Sequence, residues 1–240
     1  MAGLADSLRK LRPGKVRSAL RRRWFERRME AIALRAMPGI VELGSAYGGW
    51  KLPGSAIEPS WVCYSVGAGG DISFDLELIE RFGVSVRGFD AVQKFVEEAN
   101  EEAAGEPRFH ARQAAIASQD GPIRMQVSHD PQSSSVSSAG LYASHEFVEL
   151  PGRTLESLMA ELGDERIDLL KLDVEGAEYE LLPSIDLKRL GVKVFATQLH
   201  HVGSVGRARA LIAGLEDAGY EPVACRPAVK LTFVRAELIP

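Results

Sequence analysis

This 240-residue sequence contains few cysteines and no long apolar stretch. It holds two cysteines, Cys63 and Cys225, too few for a disulfide framework, and such sparse use is typical of reducing compartments. No apolar run reaches the roughly 18 residues that a membrane-crossing helix needs. Charged residues interrupt the first dozen positions, whereas a secretory signal has an uninterrupted apolar core there. These absences argue against secreted and membrane-spanning classes, and we expect a cytoplasmic protein.

The rest of the composition is typical of a globular protein. Hydrophobic residues make up 45% of the chain and charged residues 26%, which excludes a disordered or fibrous protein. A chain of this length buries about 70% of its unfolded surface, so it needs no disulfide or metal in order to fold. The length predicts one large domain, or one domain with an appendage.

The net charge of −4 hides an uneven distribution. Residues 1–37 contain 11 basic and 3 acidic residues, a net charge of +8, which leaves −12 for residues 38–240. Residues 15–37 lack glycine and proline and predict a helix. We therefore expect a basic helical arm over residues 1–38 and a separate domain over 39–240. The arm either rests on an anionic membrane surface or packs on the acidic domain.

Strands and helices alternate after a connector at 39–60 that holds a short strand at Ile40–Leu43. The apolar patterns predict strands at 61–66, 84–89, 108–116, 123–127, 167–174 and 192–199, and helices at 72–82, 91–104, 155–162, 179–182 and 208–218. Residues 223–225 and 229–234 flank a turn and predict an antiparallel pair. Repeated βα units predict an α/β fold with a doubly wound, mostly parallel sheet that ends in this pair.

A glycine-rich turn, Val66-Gly67-Ala68-Gly69-Gly70-Asp71, follows the first strong strand. Glycines allow close backbone approach to a ligand. Asp90 ends the next strand, where a carboxylate can accept hydrogen bonds from ribose hydroxyls. Together they predict a nucleoside-containing cofactor, although a tight turn beside an exposed aspartate is the alternative. Ile72 occupies the third small position of a dinucleotide fingerprint, which argues against an NAD-dependent oxidoreductase.

A second group of charged residues ends a later strand, in the segment IDLLKLDVEGAE at 167–178. Strand alternation predicts that Lys171, Asp173 and Glu175 share one face. Charges on a central strand are costly unless they are paired or functional, and open α/β sheets bind ligands at this edge. An internal lysine–carboxylate ion pair is the alternative to a catalytic role.

Two histidines, His200 and His201, follow the next strand at the same sheet edge. A neutral imidazole can accept a proton from a hydroxyl. Adjacent residues point to opposite faces, so we expect one of the two in the site; a structural histidine is the alternative. The histidines could also bind a divalent ion with Asp173, Glu175 and Glu178. No tight ligand spacing singles out such a site, and we predict no metal.

The chain resembles the FkbM-type methyltransferases, which are S-adenosylmethionine-dependent enzymes of the Rossmann-like class. The resemblance covers about residues 41–240, and KLDVEGAE is its most specific part. It rests on the segments VCYSVGAGGDISFD (62–75), VRGFD (86–90), RTLESL (153–158) and IDLLKLDVEGAEYELL (167–182), with ELGSAYGGW (42–50) in addition. Two positions depart from the common pattern, since Asp71 replaces a third glycine and Ala91-Val92 replaces a proline after Asp90.

The resemblance implies a role for each matching residue. The turn would hold the methionine part of S-adenosyl-L-methionine, Asp90 its ribose hydroxyls, and the segment at 113–116 would lie near the adenine. The implied cofactor-binding residues are Gly67, Ala68, Gly69, Asp71, Asp90, Ala115 and Ile116. The candidate catalytic residues are Asp173, His200 and Lys171, with Asp173 placed where the methyl group meets the acceptor. The family implies O-methylation of a hydroxyl on a sugar or a secondary metabolite.

The acceptor itself cannot be read from the sequence, and a small molecule or a glycan fits the resemblance best. We expect the serine-rich segment at 133–138 to lie over the site, because irregular excursions often carry specificity. An arginine-rich arm could also bind nucleic acid, but the acidic domain lacks interleaved basic and aromatic residues. A non-catalytic interaction module with a cofactor fold is a third alternative, and it predicts weak or absent cofactor binding.

Overall fold

The structure is a computed structural model and describes residues 13–29, 31–127, 136–137 and 146–240. It is an α/β fold in which six helices and thirteen strands are described. The helices are α1 (Pro13–Met29), α2 (Ser73–Phe82), α3 (Gln93–Glu102), α4 (Leu155–Leu162), α5 (Glu178–Leu181) and α6 (Val205–Asp217). The strands are β1 (Ile40–Leu43), β2 (Trp50–Pro53), β3 (Val62–Val66), β4 (Ser85–Asp90), β5 (Phe109–Gln113), β6 (Ala115–Ile116), β7 (Gly121–Val127), β8 (Val136–Ser137), β9 (Phe147–Arg153), β10 (Leu169–Leu172), β11 (Val194–Gln198), β12 (Tyr220–Arg226) and β13 (Lys230–Arg235).

A seven-stranded sheet has the order β12-β13-β11-β10-β3-β4-β5. The five strands from β11 to β5 are parallel, and β13 and β12 add an antiparallel edge. The predicted mostly parallel sheet with a terminal antiparallel pair is confirmed. The chain runs outward from β3 through β4 to β5 and returns to β10 on the other side of β3. This reversal opens a crevice at the carboxyl ends of β3 and β10, where open α/β sheets bind ligands.

The sheet separates two hydrophobic cores, because successive side chains of a strand point to opposite faces. In β3, Tyr64 and Val66 belong to one core and Cys63 to the other. Helices α1, α4, α5 and α6 cover the Tyr64 side, and α2 and α3 cover the Cys63 side. The predicted cap of α4 is confirmed, since Thr154 Oγ1 accepts a hydrogen bond from the Ser157 amide.

The basic helix is shorter than predicted and is anchored in a core. It ends at Met29, and residues 31–37 are not helical, so the helix predicted for that stretch is wrong. Phe25 and Met29 are buried on the Tyr64 side, whereas Met37 packs on the opposite core. The chain therefore crosses from one face to the other past β12, where the Arg35 amide donates to the Pro222 carbonyl at 2.7 Å. The proposed boundary at residue 38 stays a prediction.

The connector at 39–60 contains more structure than the short strand predicted there. β1 pairs with β2 in an antiparallel hairpin, and Leu43, Trp50 and Leu52 are fully buried in the core of the Cys63 side. Glycines obscured this pattern in the sequence. The hairpin brings the loop at 44–49 to the carboxyl edge of the main sheet.

The single strand predicted at 108–116 is wrong, because the chain changes sheet at Ala114. The Ala114 amide donates to the Asp90 carbonyl at 2.9 Å, and β6 then joins a second sheet of order β6-β9-β7-β8. β7 begins at Gly121 and pairs with β9, a strand that the sequence pattern did not predict. Most of the serine-rich segment at 133–138 lies outside the described residues, so its place over the site stays a prediction.

Within the described ranges, no helix is both long enough and apolar enough to cross a membrane.

Candidate active site

The glycine turn after β3 is held rigidly by its neighbours. Gly67 has a φ of +74°; its amide donates to the Phe89 carbonyl at 2.8 Å, and its carbonyl accepts from Lys171 Nζ at 2.6 Å. A Cβ at this position would lie 1.9 Å from the Asp173 carbonyl oxygen. Only glycine fits here, because both the backbone angle and the close approach of Asp173 exclude a side chain.

Asp90 fastens the same turn to the end of β4. Its Oδ2 accepts from the Gly69 amide at 2.9 Å and its Oδ1 from the Val92 amide at 2.8 Å. The side chain is 8% exposed. Burial raises the pKa of Asp90, and the two backbone hydrogen bonds oppose that rise. The carboxylate therefore stands at the place predicted for a ribose-binding acid, already oriented by the backbone around it.

Asp71 has structural partners that the sequence did not reveal. Its carboxylate accepts hydrogen bonds from the Ser45 hydroxyl, the Gly48 amide and both polar groups of Ser73. Burial acts to raise the pKa of Asp71, but the bonds from Ser45 and Ser73 hold it below its ordinary value. The residue lines the cavity and ties the loop at 44–49 to the start of α2. Its contacts explain why the glycine common in this turn is replaced here.

Lys171 lines the same cavity as Asp173 and Glu175, but its described hydrogen bond goes to the glycine turn. β10 ends at Leu172, and strand alternation no longer governs the residues beyond it. Lys171 lies on the Cys63 side of the sheet, is 5% exposed and donates to the Gly67 carbonyl. Lys171 therefore stabilises the glycine turn through this hydrogen bond.

Asp173, Glu175 and His200 come together at the carboxyl edge. His200 Nε2 lies 3.9 Å from Asp173 Oδ1 and 3.7 Å from Glu175 Oε2. Behind the ring, His200 Nδ1 lies 2.9 Å from Glu178 Oε1, and Glu178 is fully buried. Glu175 has a φ of +52°, so the chain turns sharply enough to bring its carboxylate back toward Asp173.

The charge of His200 follows from these neighbours. Burial alone would lower the pKa of the imidazole, but attraction and hydrogen bonding from Glu178, together with Asp173 and Glu175, raise it to about 9. At neutral pH the ring of the free protein therefore carries a proton. The three carboxylates and one imidazole form a site that favours a positive charge.

Both histidines line the cavity, so the prediction that one alone enters it is wrong. They follow β11, which ends at Gln198, and the alternation of a strand no longer separates them. Burial lowers the pKa of His201, and His200, Arg21 and Arg22 lower it further. His201 thus lies on the side of the site nearest α1.

The loop at 44–49 forms another wall that the sequence did not assign to the site. Lys230 Nζ donates to the Tyr47 carbonyl at 2.8 Å, and the Arg226 guanidinium donates to the Ala46 carbonyl at 3.3 Å. The Tyr47 side chain is largely exposed at the edge of the cavity; partial burial raises its pKa, and the negative charges of Glu175, Asp173 and Asp71 raise it further. The Tyr47 hydroxyl thus belongs to the electrostatic surroundings of the cluster. The only signal in the sequence was the ELGSAYGGW resemblance.

One cavity of about 1160 Å³ joins these parts. It exceeds the roughly 300–1000 Å³ typical of a site for one small ligand. The predicted cofactor residues all line it, as do the candidate catalytic residues and part of α1: Gly67, Ala68, Gly69, Asp71, Asp90, Ala115, Ile116, Lys171, Asp173, His200, Arg22, Phe25 and Glu26. The part played by α1 was missed, because the sequence does not tell which residues of a distant helix reach the sheet edge.

Comparisons with known proteins place the chain in a family. The profile of the methyltransferase FkbM domain matches residues 74–222, more than half of the chain. No curated protein is similar enough in sequence to count as a relative.

Several solved structures are similar to the chain. The Methanococcus jannaschii fibrillarin pre-rRNA processing protein is 10% identical, with 86% of each chain covered and a TM-score of 0.47. Precorrin-6y C5,15-methyltransferase from Geobacter metallireducens is 12% identical, covering 75% of this chain and 82% of that one, with a TM-score of 0.44. M. capricolum TrmK, in complex with S-adenosyl-homocysteine, is 10% identical over 76% of this chain and 65% of that one, with a TM-score of 0.40.

The family match covers α2 to β12, which includes Asp90, Asp173 and His200. The chain belongs to the FkbM methyltransferase family, and it is an S-adenosyl-L-methionine-dependent methyltransferase.

Proposed function

We propose that the chain transfers a methyl group to a hydroxyl of a small-molecule or glycan acceptor. The observation that carries the proposal is the shared cavity, whose lining includes both the glycine turn with Asp90 and Asp173 with His200. The first set is suited to a nucleoside, and the second can orient a hydroxyl and draw on its proton. The cavity volume supports the presence of a second ligand beside the cofactor.

The residues present fit S-adenosyl-L-methionine. A Cβ at Gly69 would touch nothing within 4 Å, and one at Gly70 would meet only the Phe95 ring at 3.9 Å, so the turn leaves room for a ligand. The backbone of residues 67–69 would hold the methionine part, and Asp90 the ribose hydroxyls. Ala115 and Ile116 supply an apolar wall for the adenine.

The chain's own part in the reaction is alignment and proton handling. The bound cofactor supplies a methyl group on a positively charged sulfur, ready for in-line displacement. Asp173 would orient the acceptor hydroxyl, and its carboxylate can accept the hydroxyl proton. His200, held from behind by Glu178, faces Asp173 and positions that carboxylate. Lys171 would act indirectly, by supporting the glycine turn.

Replacing Asp90 with alanine should weaken binding of S-adenosylhomocysteine by about 10-fold or more. The substitution removes the proposed ribose acceptor and two backbone hydrogen bonds of the turn, and bonds to a charged group are worth about 1.5–3 kcal/mol each. Isothermal titration calorimetry on the full chain measures the affinity. Asp120→Ala is the matched control, because Asp120 also accepts a backbone amide, from Thr154, but lies outside the cavity.

Equal affinity in the two variants would contradict the role of Asp90. If the wild-type chain itself fails to bind S-adenosylhomocysteine, the non-catalytic interaction module becomes the better description. Tight binding of the cofactor product, followed by methylation of nucleic acid but not of sugars or small hydroxyl compounds, would favour the nucleic-acid alternative.

The exposed face of α1 supports a proposal about location, contact with an anionic membrane surface. α1 holds seven basic residues and one acidic residue, and Leu20 and Trp24 are 59% and 55% exposed, one helical turn apart. Such a face can lie on a membrane with its apolar side chains between the headgroups. Phe25 and Met29 already anchor the opposite face in the core.

Replacing Leu20 and Trp24 together with alanine should lower co-sedimentation with phosphatidylserine-containing vesicles several-fold. Burial of the two side chains and the attraction of nearby arginines for anionic lipid both favour binding. Phe147→Ala serves as a control, because Phe147 is an exposed aromatic residue on β9, away from α1. Equal partitioning of wild type and the double variant would eliminate the membrane contact.

A further inference from the structure

We infer that Asp173, Glu175 and His200 bind a divalent cation at the acceptor side of the cavity. One oxygen from each carboxylate and one nitrogen of the imidazole all lie within 4.8 Å of one another. Two ligands of a single ion, each about 2.1 Å from it, can lie at most about 4.2 Å apart. The distances from His200 Nε2 to Asp173 and Glu175, 3.9 and 3.7 Å, fall below that limit, so one ion can bridge these atoms with little movement.

The surroundings of His200 are typical of a metal ligand. A ligating histidine usually gives its other ring N–H to a carboxylate, which fixes the ring and its tautomer. Glu178 fills this position, since its Oε1 lies 2.9 Å from His200 Nδ1 and the side chain is fully buried. On binding an ion, Nδ1 would keep the proton that it donates to Glu178, and Nε2 would release its own proton so that its lone pair faces the ion between Asp173 and Glu175.

Glu178 adds negative charge on the other side of the ring. Its Oε2 is buried and has no hydrogen-bond partner among the described residues. An unsatisfied buried carboxylate oxygen is costly, and a divalent ion bound at Nε2 would attract its negative charge across the ring. Three carboxylates around one imidazole leave an excess of negative charge even when the ring is protonated, which suits a divalent cation.

Among the residues that the structure describes, three neighbouring polar groups bear on the cluster. The nearest is Gln198, whose amide nitrogen lies 3.4 Å from His200 Nε2 and can swing away. Lys171 is engaged with the Gly67 carbonyl, and Lys230 with the Tyr47 carbonyl. The ligand set of two carboxylates and one imidazole leaves the remaining positions of an octahedral ion for water and for an acceptor oxygen.

The inference rests on the proposed function and deepens it, because a bound cation would polarise the acceptor hydroxyl and make its proton easier to remove. It narrows the acceptor to a compound with an oxygen that can coordinate a metal ion. Asp173 would then hold the ion through one carboxylate oxygen and take the hydroxyl proton on the other, and His200 would act on the acceptor through the ion.

Mn²⁺ binding to the full, chelator-treated chain tests the inference, with the free Mn²⁺ signal followed by electron paramagnetic resonance. We expect one ion per chain in the wild type. Asp173→Asn and Glu175→Gln should each weaken binding at least 10-fold, and Glu178→Gln by about 10–100-fold through loss of the ring's orientation. Glu180→Gln is the matched control, since Glu180 lies on α5 beside Glu178 but is exposed, and it should bind like the wild type.

Absence of stoichiometric Mn²⁺ binding in the wild type, or equal binding by the wild type and both ligand variants, would overturn the inference. Thermal unfolding of each variant verifies that it is folded. Calorimetry with S-adenosylhomocysteine on the same samples separates the two claims. A chain that binds S-adenosylhomocysteine but no Mn²⁺ retains the proposed function without the cation site, whereas failure to bind S-adenosylhomocysteine counts against the proposed function.

Discussion

Replacing Gly67 with alanine should lower the free energy of unfolding by about 2–5 kcal/mol and abolish binding of S-adenosylhomocysteine. The expected loss combines two costs. A residue with a side chain at φ +74° is strained by about 1–2 kcal/mol. Inserting a methyl group into a filled space costs a further 1–3 kcal/mol, and here the new Cβ would lie 1.9 Å from the Asp173 carbonyl oxygen.

The clash cannot be relieved by a small local shift. The Gly67 amide is held by the Phe89 carbonyl and its own carbonyl by Lys171. On the other side, the Asp173 amide donates to the Val66 carbonyl at 3.1 Å. The Asp173 carbonyl oxygen, which the new methyl group would contact, therefore belongs to backbone that is fixed to the edge of the sheet. Any movement that makes room for the methyl group must separate β3 from β10 at the place where the cofactor would bind.

Urea unfolding and calorimetry measure the two parts of this prediction, and Gly69→Ala is the matched control. Gly69 also has a positive φ, +58°, but a Cβ there would meet nothing within 4 Å. The control should therefore lose only the strain of the backbone, about 1–2 kcal/mol. Similar losses of stability in Gly67→Ala and Gly69→Ala would show that the approach of Asp173 is not the dominant cost.

The features that the sequence predicted correctly are those encoded locally. The order of strands and helices follows from hydrophobic periodicity, and the place of Asp90 at the end of β4 follows from its distance from the glycine turn. Parallel βα units bring the carboxyl ends of their strands to one edge. The sequence alone therefore assigns Asp173 and His200 to the same edge of the sheet.

The features that it missed depend on long-range packing. The loop at 44–49 reaches the site because Arg226 and Lys230, some 180 positions later, bind its carbonyl groups. The charge of the arm predicted a separate unit. Phe25 and Met29, which lie among arginines in the sequence, are instead buried in the core on the Tyr64 side of the sheet. The alternation of side chains between the two faces also holds only as far as Leu172 and Gln198, where β10 and β11 end. The prediction that only one of His200 and His201 enters the site was wrong for that reason.

Lys171 offsets the negative charge of a buried carboxylate, that of Asp75. Alternation places Lys171 on the Cys63 side, the side covered by α2. Asp75 of α2 is 1% exposed, and its Oδ1 has no hydrogen-bond partner among the described residues. Burial raises the pKa of Asp75, and the positive charge of Lys171 opposes that rise. Removing one member of a close buried charge pair typically costs about 3–5 kcal/mol; the attraction between Lys171 and Asp75 acts without a described ion pair, so we expect Lys171→Met to lose up to that much at pH 7.

The pH dependence has a definite sign. An aspartate whose pKa is raised in the folded state binds a proton more readily there than in the unfolded chain, so its ionised form destabilises the fold above that pKa. Lys171→Met raises the pKa of Asp75 further. The stability that the variant loses relative to the wild type should therefore be largest near neutral pH and should shrink as the pH falls and Asp75 takes up a proton.

Urea unfolding of a double-mutant cycle with Asp75→Asn tests this pairing. The double variant should recover a large part of the stability lost in Lys171→Met, because no buried charge is left unpaired. Lys193→Met is the matched control: Lys193 lies 3.0 Å from the buried Asp168, but Arg166 also pairs with that carboxylate at 3.0 Å, so a cation remains. We expect this control to lose clearly less stability than Lys171→Met. Strictly additive losses in the cycle would contradict the pairing and would leave the Gly67 carbonyl as the main partner of Lys171.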